Sequence, residues 1–206
     1  MSKPEYSQLG KETNYITQYE PKLLFAIPRV DKRQELGCSN DIPFVGYDVW
    51  NGYELSWLNA KGKPEVGIIQ FQLDAMSPYI IESKSLKLYF NSLNNSKFSS
   101  QEKVKETIKT DLEAILGAKL KIRLKQLNDS DNKILHELPG HCLDVLDIEC
   151  TDYNPNPNLL SCSTQTKIQE GLFSHLLKSN CLVTGQPDWG SIYIYYHGNQ
   201  INHEGL

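Results

Sequence analysis

A secretory start is missing from this chain of 206 residues: its first fifteen, MSKPEYSQLGKETNY, contain no apolar core. The most apolar early run, LLFAI at 23–27, is far short of the roughly 20 residues that cross a bilayer as a helix. An excess of positive charge is missing too. Lys and Arg number 21 against 25 Asp and Glu, a formal net charge of −4, which disfavours nonspecific attachment to nucleic acid or anionic lipid. Paired metal-ligand spacing is also absent. Cys38, Cys142, Cys150, Cys162 and Cys181 fall at irregular intervals with no CxxC, and His141-Cys142 followed by Cys150 falls short of the four well-spaced ligands of structural zinc. Their odd number points to free thiols rather than a disulfide framework. The expectation is a soluble, cytoplasmic chain with no metal, no membrane span and no direct contact with nucleic acid.

What is present is globular. Hydrophobic residues make up 39% and charged residues 22%, enough for one ordinary domain or two small ones. VGIIQFQL (66–73) and SIYIYY (191–196) are β-branched and aromatic and predict strands. In SLKLYFNSLN (85–94), Leu86, Tyr89, Phe90 and Leu93 share one helical face. Ser99-Ser100-Gln101-Glu102 has a capping-box pattern, Val104, Ile108, Leu112 and Ile115 form the stripe behind it, and Gly117 offers a stop. KLKIRLKQL (119–127) and CLDVLDIEC (142–150) alternate and predict strands. The first part therefore reads strand–strand–helix–helix–strand–strand. TDYNPNPNLLSCS (151–163), with two Asn-Pro steps, reads as a linker or long loop. KIQEGLFSHLLK (167–178) reads as a helix carrying Ile168, Leu172 and Leu176 on one face.

Two segments repeat. SWLNAKGKPEVGII from Ser56 and SNCLVTGQPDWGSI from Ser179 align without gaps at an offset of 123 residues, sharing serine, glycine, proline, a second glycine and isoleucine. Gly and Pro carry backbone constraints, so the pattern reads as an internal duplication of one supersecondary unit. The copies differ where chemistry enters: Leu58 stands opposite Cys181, and Glu65 opposite Asp188. At the same offset the second copy stops where its helices would begin.

Cys181 can attack an electrophilic carbon as a thiolate, with Lys178 close by in sequence. Asp188 can donate or accept the accompanying proton if both side chains share a pocket. Read alone, the spacing is a weak signal, and an ordinary loop cysteine with a turn-capping aspartate is the plainer reading. The second cluster is ESKSLK at 82–87. Glu82 and Ser83 fall at a strand-to-helix junction, where a capping role is the plain reading. The alternative has Glu82 accepting from a guanine-like edge while Ser83 and Lys84 meet phosphate.

ESKSLKLYFNS and CLVTGQPDWGS together, supported by YELSWLNAKG (53–62) and SHLLKSNC (174–181), resemble the NADPH-dependent 7-cyano-7-deazaguanine reductases, the QueF family of nitrile reductases in queuosine biosynthesis, in their long two-module form. The resemblance implies an α+β tunnelling fold (T-fold), with antiparallel sheets, helices on one face, and modules associating into barrels. Residues 1–150 would be the first module with the ESKS motif, and 151–206 the linker and the start of the second. It implies Cys181 as the nucleophile that forms a covalent thioimide with the nitrile, Asp188 as the general acid, Ile81, Glu82 and Ser83 as substrate contacts, and Ser83 with Lys84 as contacts to NADPH. The chain would work as a homo-oligomer, a homodimer, and the missing GxGxxG fingerprint fits a fold that is not a Rossmann one. Family members of this type continue into a Phe-His-Glu motif and an Arg-Gly-Gly segment, so the second module here is expected to be incomplete. A binding or oligomerisation fragment without catalysis, and a zinc-dependent cyclohydrolase-like enzyme of the same fold, are the other readings; metal-ligand spacing argues against the last.

Overall fold

The computed structural model describes residues 16, 18–38, 42–127, 138–152, 154, 156–180 and 187–206, with only the backbone of Asp188. The chain divides into two compact units, one up to Asn132 and one from Lys133.

The first unit opens with strand β1 (Ala26–Pro28) and helix α1 (Arg29–Glu35), then runs β2 (Tyr47–Leu58), β3 (Pro64–Asp74), β4 (Tyr79–Ile81), α2 (Ser83–Ser92), α3 (Gln101–Leu116) and β5 (Leu120–Lys125). β2, β3 and β5 form one antiparallel sheet, and β1 pairs with β4 in a second. Alternation decides the packing. Ile69, Phe71 and Leu73 are completely buried, while Gln70 and Gln72 between them face the other side. Against the buried face lie Tyr89 and Leu93 of α2's stripe and Val104, Ile108, Leu112 and Leu116 of α3.

Both predicted helices form. Ser100 caps α3, its hydroxyl accepting from Lys103 N at 3.2 Å, and Gly117 closes the helix at φ +62°. The reciprocal half of the capping box is absent, because Lys103 stands where a carboxylate would be needed and Glu102 pairs instead with Lys105 at 2.5 Å. The Asn59–Lys63 turn joins β2 to β3. Asn59 Oδ1 accepts from Lys61 N and Lys63 N, and Gly62 takes φ +85°.

The second unit is a long hairpin, β7 (Cys162–Asn180) and β8 (Pro187–Ile201), with the short β6 (His141–Cys142) lying parallel to β7. Two expectations are corrected here. Residues 167–178 are strand, not helix: Ile168, Leu172 and Leu176 are spaced by four, which satisfies a period of two as well as a helical face, and pairing with β8 takes the strand option. The segment 142–150 leaves the sheet after Cys142, turning at Leu143–Val145 so that the Asp144 carboxylate accepts the backbone N–H of His175 at 3.0 Å. Because β6 pairs with β7, residues 138–150 belong with the hairpin in the second unit. The described residues of 151–163 are irregular apart from a turn at Pro157–Leu159 and the start of β7 at Cys162.

Among the described residues of this unit, Leu172 and Glu170 are the buried ones. Glu170 Oε1 receives the Tyr196 hydroxyl and lies 2.9 Å from His203 Nε2, and the Tyr196 oxygen in turn accepts from Ile201 N at 2.9 Å. His203 first, and Tyr196 second, hold the Glu170 carboxyl below its ordinary value of 4.5. A depressed folded-state value contributes stability at pH above 4.5 that is lost as the pH falls through the lowered value. The hairpin of the wild-type chain should therefore loosen on acidification below about pH 4.5, read as faster hydrogen exchange at Ile201 N–H. In Glu170→Gln this acid step should vanish; an identical pH profile in both proteins would reject the assignment.

Candidate active site

The ESKS cluster sits where β4 ends and α2 begins. Ile81, the last residue of β4, is buried and pairs with Ala26. The chain then enters α2 through Glu82, whose backbone N–H donates to Phe25 O at 2.9 Å. Glu82 is 4% exposed, and its carboxylate spans the first turn: Oε1 accepts from Lys84 N at 2.8 Å and Oε2 from Ser85 N at 2.7 Å. A buried carboxylate is costly unless hydrogen-bonded, and the positive end of the helix supplies two donors. Ser85 completes the junction, donating to Glu82 O at 2.7 Å and accepting from Phe25 N at 3.1 Å.

The capping role read from sequence is thus present, and it belongs to Glu82 rather than Ser83. Ser83 is exposed and Lys84 half-buried. Each Glu82 oxygen uses one acceptor site on its own helix, so the group retains acceptor capacity toward a ligand. The N–H groups of Lys84 and Ser85 are committed to that carboxylate.

The segment before β1 braces the other end of α2. Tyr19 N donates to Ser96 Oγ at 2.9 Å and Glu20 N to Ser92 Oγ at 3.2 Å, while the Tyr19 and Tyr89 hydroxyls both donate to Asp111 Oδ2, at 2.7 and 2.6 Å. Burial, then the Asp111 carboxylate, pushes both phenols far above their ordinary value, so both stay protonated donors. Helix α2 is held at both ends.

Beside Ser83, between α2 and β2, is a cavity of about 400 Å³. Trp50 and Phe90 contribute to its walls, and Trp50 stacks on Phe71 at 6.0 Å with the rings 3° apart. Sequence reasoning missed it, although the Gly52-Tyr53-Glu54 step, overlapping the start of the 53–62 motif, was its signal. Between Gly52 and Leu55 the β2–β3 register slips by one residue, a bulge that takes Tyr53 and Glu54 out of the ladder.

In the second unit, Ser179 pairs with Asp188 and Asn180 with Pro187. Cys181 and the rest of the Gly-Gln-Pro turn up to Gln186 lie outside the described residues, and Asp188 is placed by its backbone at the start of β8. The four residues of the ESKS cluster thus lie together in the first unit, and the backbone of Asp188 lies in the second, opposite Ser179.

A family model for the N-terminal part of nitrile reductases, 7-cyano-7-deazaguanine reductases, matches residues 15–124. This chain belongs to that family. Its members are nitrile reductases, a class of oxidoreductase, and whole-chain similarity extends the match. Proteins named NADPH-dependent 7-cyano-7-deazaguanine reductase from Polaromonas sp. (strain JS666), Hydrogenovibrio crunogenus and Legionella pneumophila (strain Corby) are 49%, 51% and 52% identical over 100%, 100% and 97% of this chain. The matched regions span 75%, 76% and 70% of those relatives' own lengths. The nitrile-reductase match thus runs through both units, past the hairpin that carries Cys181 and Asp188.

Glu82→Gln tests the junction. Its amide keeps one acceptor but turns a donor toward a backbone N–H, so unfolding stability should fall by about 2 kcal/mol, read as a lower urea midpoint. An unchanged midpoint would show that the carboxylate is not the cap that α2 depends on.

Proposed function

We propose that the chain carries out NADPH-dependent reduction of the nitrile of 7-cyano-7-deazaguanine to an aminomethyl group, a step of queuosine biosynthesis, in the cytoplasm. The observation that carries the reading is the pairing of near-half identity to reductases of that name across the chain with a buried carboxylate at the head of the ESKS helix.

In this reading Glu82, held by its two amides, accepts from the donor edge of the deazapurine, and Ile81 and Ser83 flank the ring. Cys181 adds as a thiolate to the nitrile carbon, forming a C–S bond as one C–N π bond breaks. Asp188 donates a proton to the nitrogen, and the product is a thioimide. The site residues fit a nicotinamide cofactor, since Ser83 presents a hydroxyl at an aromatic-walled cavity and Lys84 follows it with a cation on the same helix. When bound, the cofactor supplies hydride, two equivalents for the whole reduction. Ser83 and Lys84 hold and orient it.

We also read the chain as two tandem T-fold modules, assembled as homodimers. Both hairpins are antiparallel and both carry a register slip near their turn, between Gly52 and Leu55 in one and between Ser174 and Leu177 in the other. This supports duplication beyond the five shared residues. The pairing of the second hairpin is one residue out of step with the 123-residue offset, Ser56 facing Val66 but Ser179 facing Asp188.

Mixing the chain with 7-cyano-7-deazaguanine in the absence of NADPH should add the mass of one ligand covalently, and Cys181→Ala should abolish the addition. A persisting adduct in that variant would remove Cys181 from the role of nucleophile. Asp188→Asn should slow adduct formation by about 10²–10⁴-fold, the usual range for a lost general acid; an unaltered rate would remove Asp188 from proton transfer.

A further inference from the structure

The cavity between α2 and β2 has features that the packing of the first unit does not require. Tyr53 leaves the sheet ladder at the bulge and is 69% exposed on the cavity rim. An aromatic ring of that exposure adds nothing to the core, and a bulge that re-aims a side chain is a device found beside binding sites. Gly52 just before it is set by core packing, for a Cβ there would come within 2.8 Å of both Ile69 Cγ2 and Phe90 Cε2. The rim carries one charge of each sign, Lys87 Nζ lying 3.7 Å from Glu54 Oε2 with both side chains exposed. Asn51, Asn91 and Ser83 add neutral hydrogen-bonding groups.

Aromatic walls with a charge-balanced polar rim suit a neutral, planar heterocycle bearing hydroxyls, and suit a pyrophosphate poorly. The volume of about 400 Å³ lies at the small end of ligand pockets, room for one heterocycle and its sugar. We infer that this cavity seats one nucleoside unit of the nicotinamide dinucleotide, with the Tyr53 ring stacked on the heterocycle and Glu54 accepting from ribose hydroxyls. The inference rests on the reductase reading, in which Ser83 meets that cofactor, and it adds Tyr53 and Glu54 as binding residues. The pyrophosphate then lies outside the cavity, toward Lys84.

The test is fluorescence titration of the full chain with NADPH. Tyr53→Ala should raise Kd about tenfold, as loss of a base–aromatic stack does, and Tyr53→Phe should restore it. Glu54→Ala should weaken binding severalfold. Both side chains are exposed, so neither change opens the core; circular dichroism and covalent uptake of the nitrile by Cys181 report that the variants remain folded. Competition with reduced nicotinamide mononucleotide and with 2′-phospho-AMP identifies the seated half, since only that fragment should lose affinity in Tyr53→Ala. Kd values within twofold of wild type in both Tyr53→Ala and Glu54→Ala overturn the inference, as does a Tyr53→Ala loss shared by neither fragment. If the wild-type chain takes up nitrile but these variants bind NADPH normally, the reductase reading stands and the cavity assignment falls. Failure of wild type to bind NADPH overturns both.

Discussion

A carboxylate buried at the start of a helix organises the first unit. Glu82 has almost no access to water, and it remains tolerable there because Lys84 N and Ser85 N point at its two oxygens. The same residue exchanges backbone hydrogen bonds with Phe25 and Leu86, so β1, β4 and α2 meet at one point. With α2 fixed there, Tyr89, Phe90 and Leu93 reach the sheet, and the helix edge bordering β2 defines the aromatic-walled cavity.

This junction reconciles two readings that sequence alone set against each other. A capping role and a ligand-binding role for Glu82 are compatible, because a carboxylate has more acceptor sites than the cap uses. Backbone amides that hold the group in place also remove the entropy of positioning it, the general requirement for a recognition carboxylate. The cost is that the helix amides no longer serve as an anion cradle.

The two hairpins share a plan and differ in what covers them. In the first, the inner face of β3 is sealed by two helices, leaving Ile69, Phe71 and Leu73 without exposure. In the second, Leu172 is buried, but Leu176 and Leu177 are more than half exposed and Ile192 is 37% exposed. Structure in that unit rests more on the strand ladder and on the Glu170–Tyr196–His203 hydrogen bonds than on a closed core.

Sequence by itself determined the helices α2 and α3, their apolar stripes, the Ser100 and Gly117 ends, and the strands about 66–73, 119–127 and 191–196, because each is specified by local periodicity and by residues with their own backbone preferences. The ESKS and Cys–Asp motifs were legible for the same reason, as short runs of particular residue types. Tertiary structure decided what local pattern left degenerate. Ile168, Leu172 and Leu176 fit a helix face or a strand face, and only the hydrogen bonds offered by β8 chose between them. Cys142 to Cys150 alternates like a strand, yet an N–H at His175 draws Asp144 out of line. The cavity beside Ser83 joins residues about 30 apart in sequence, and no local rule reports a space that exists only once a bulged strand and a helix have packed together.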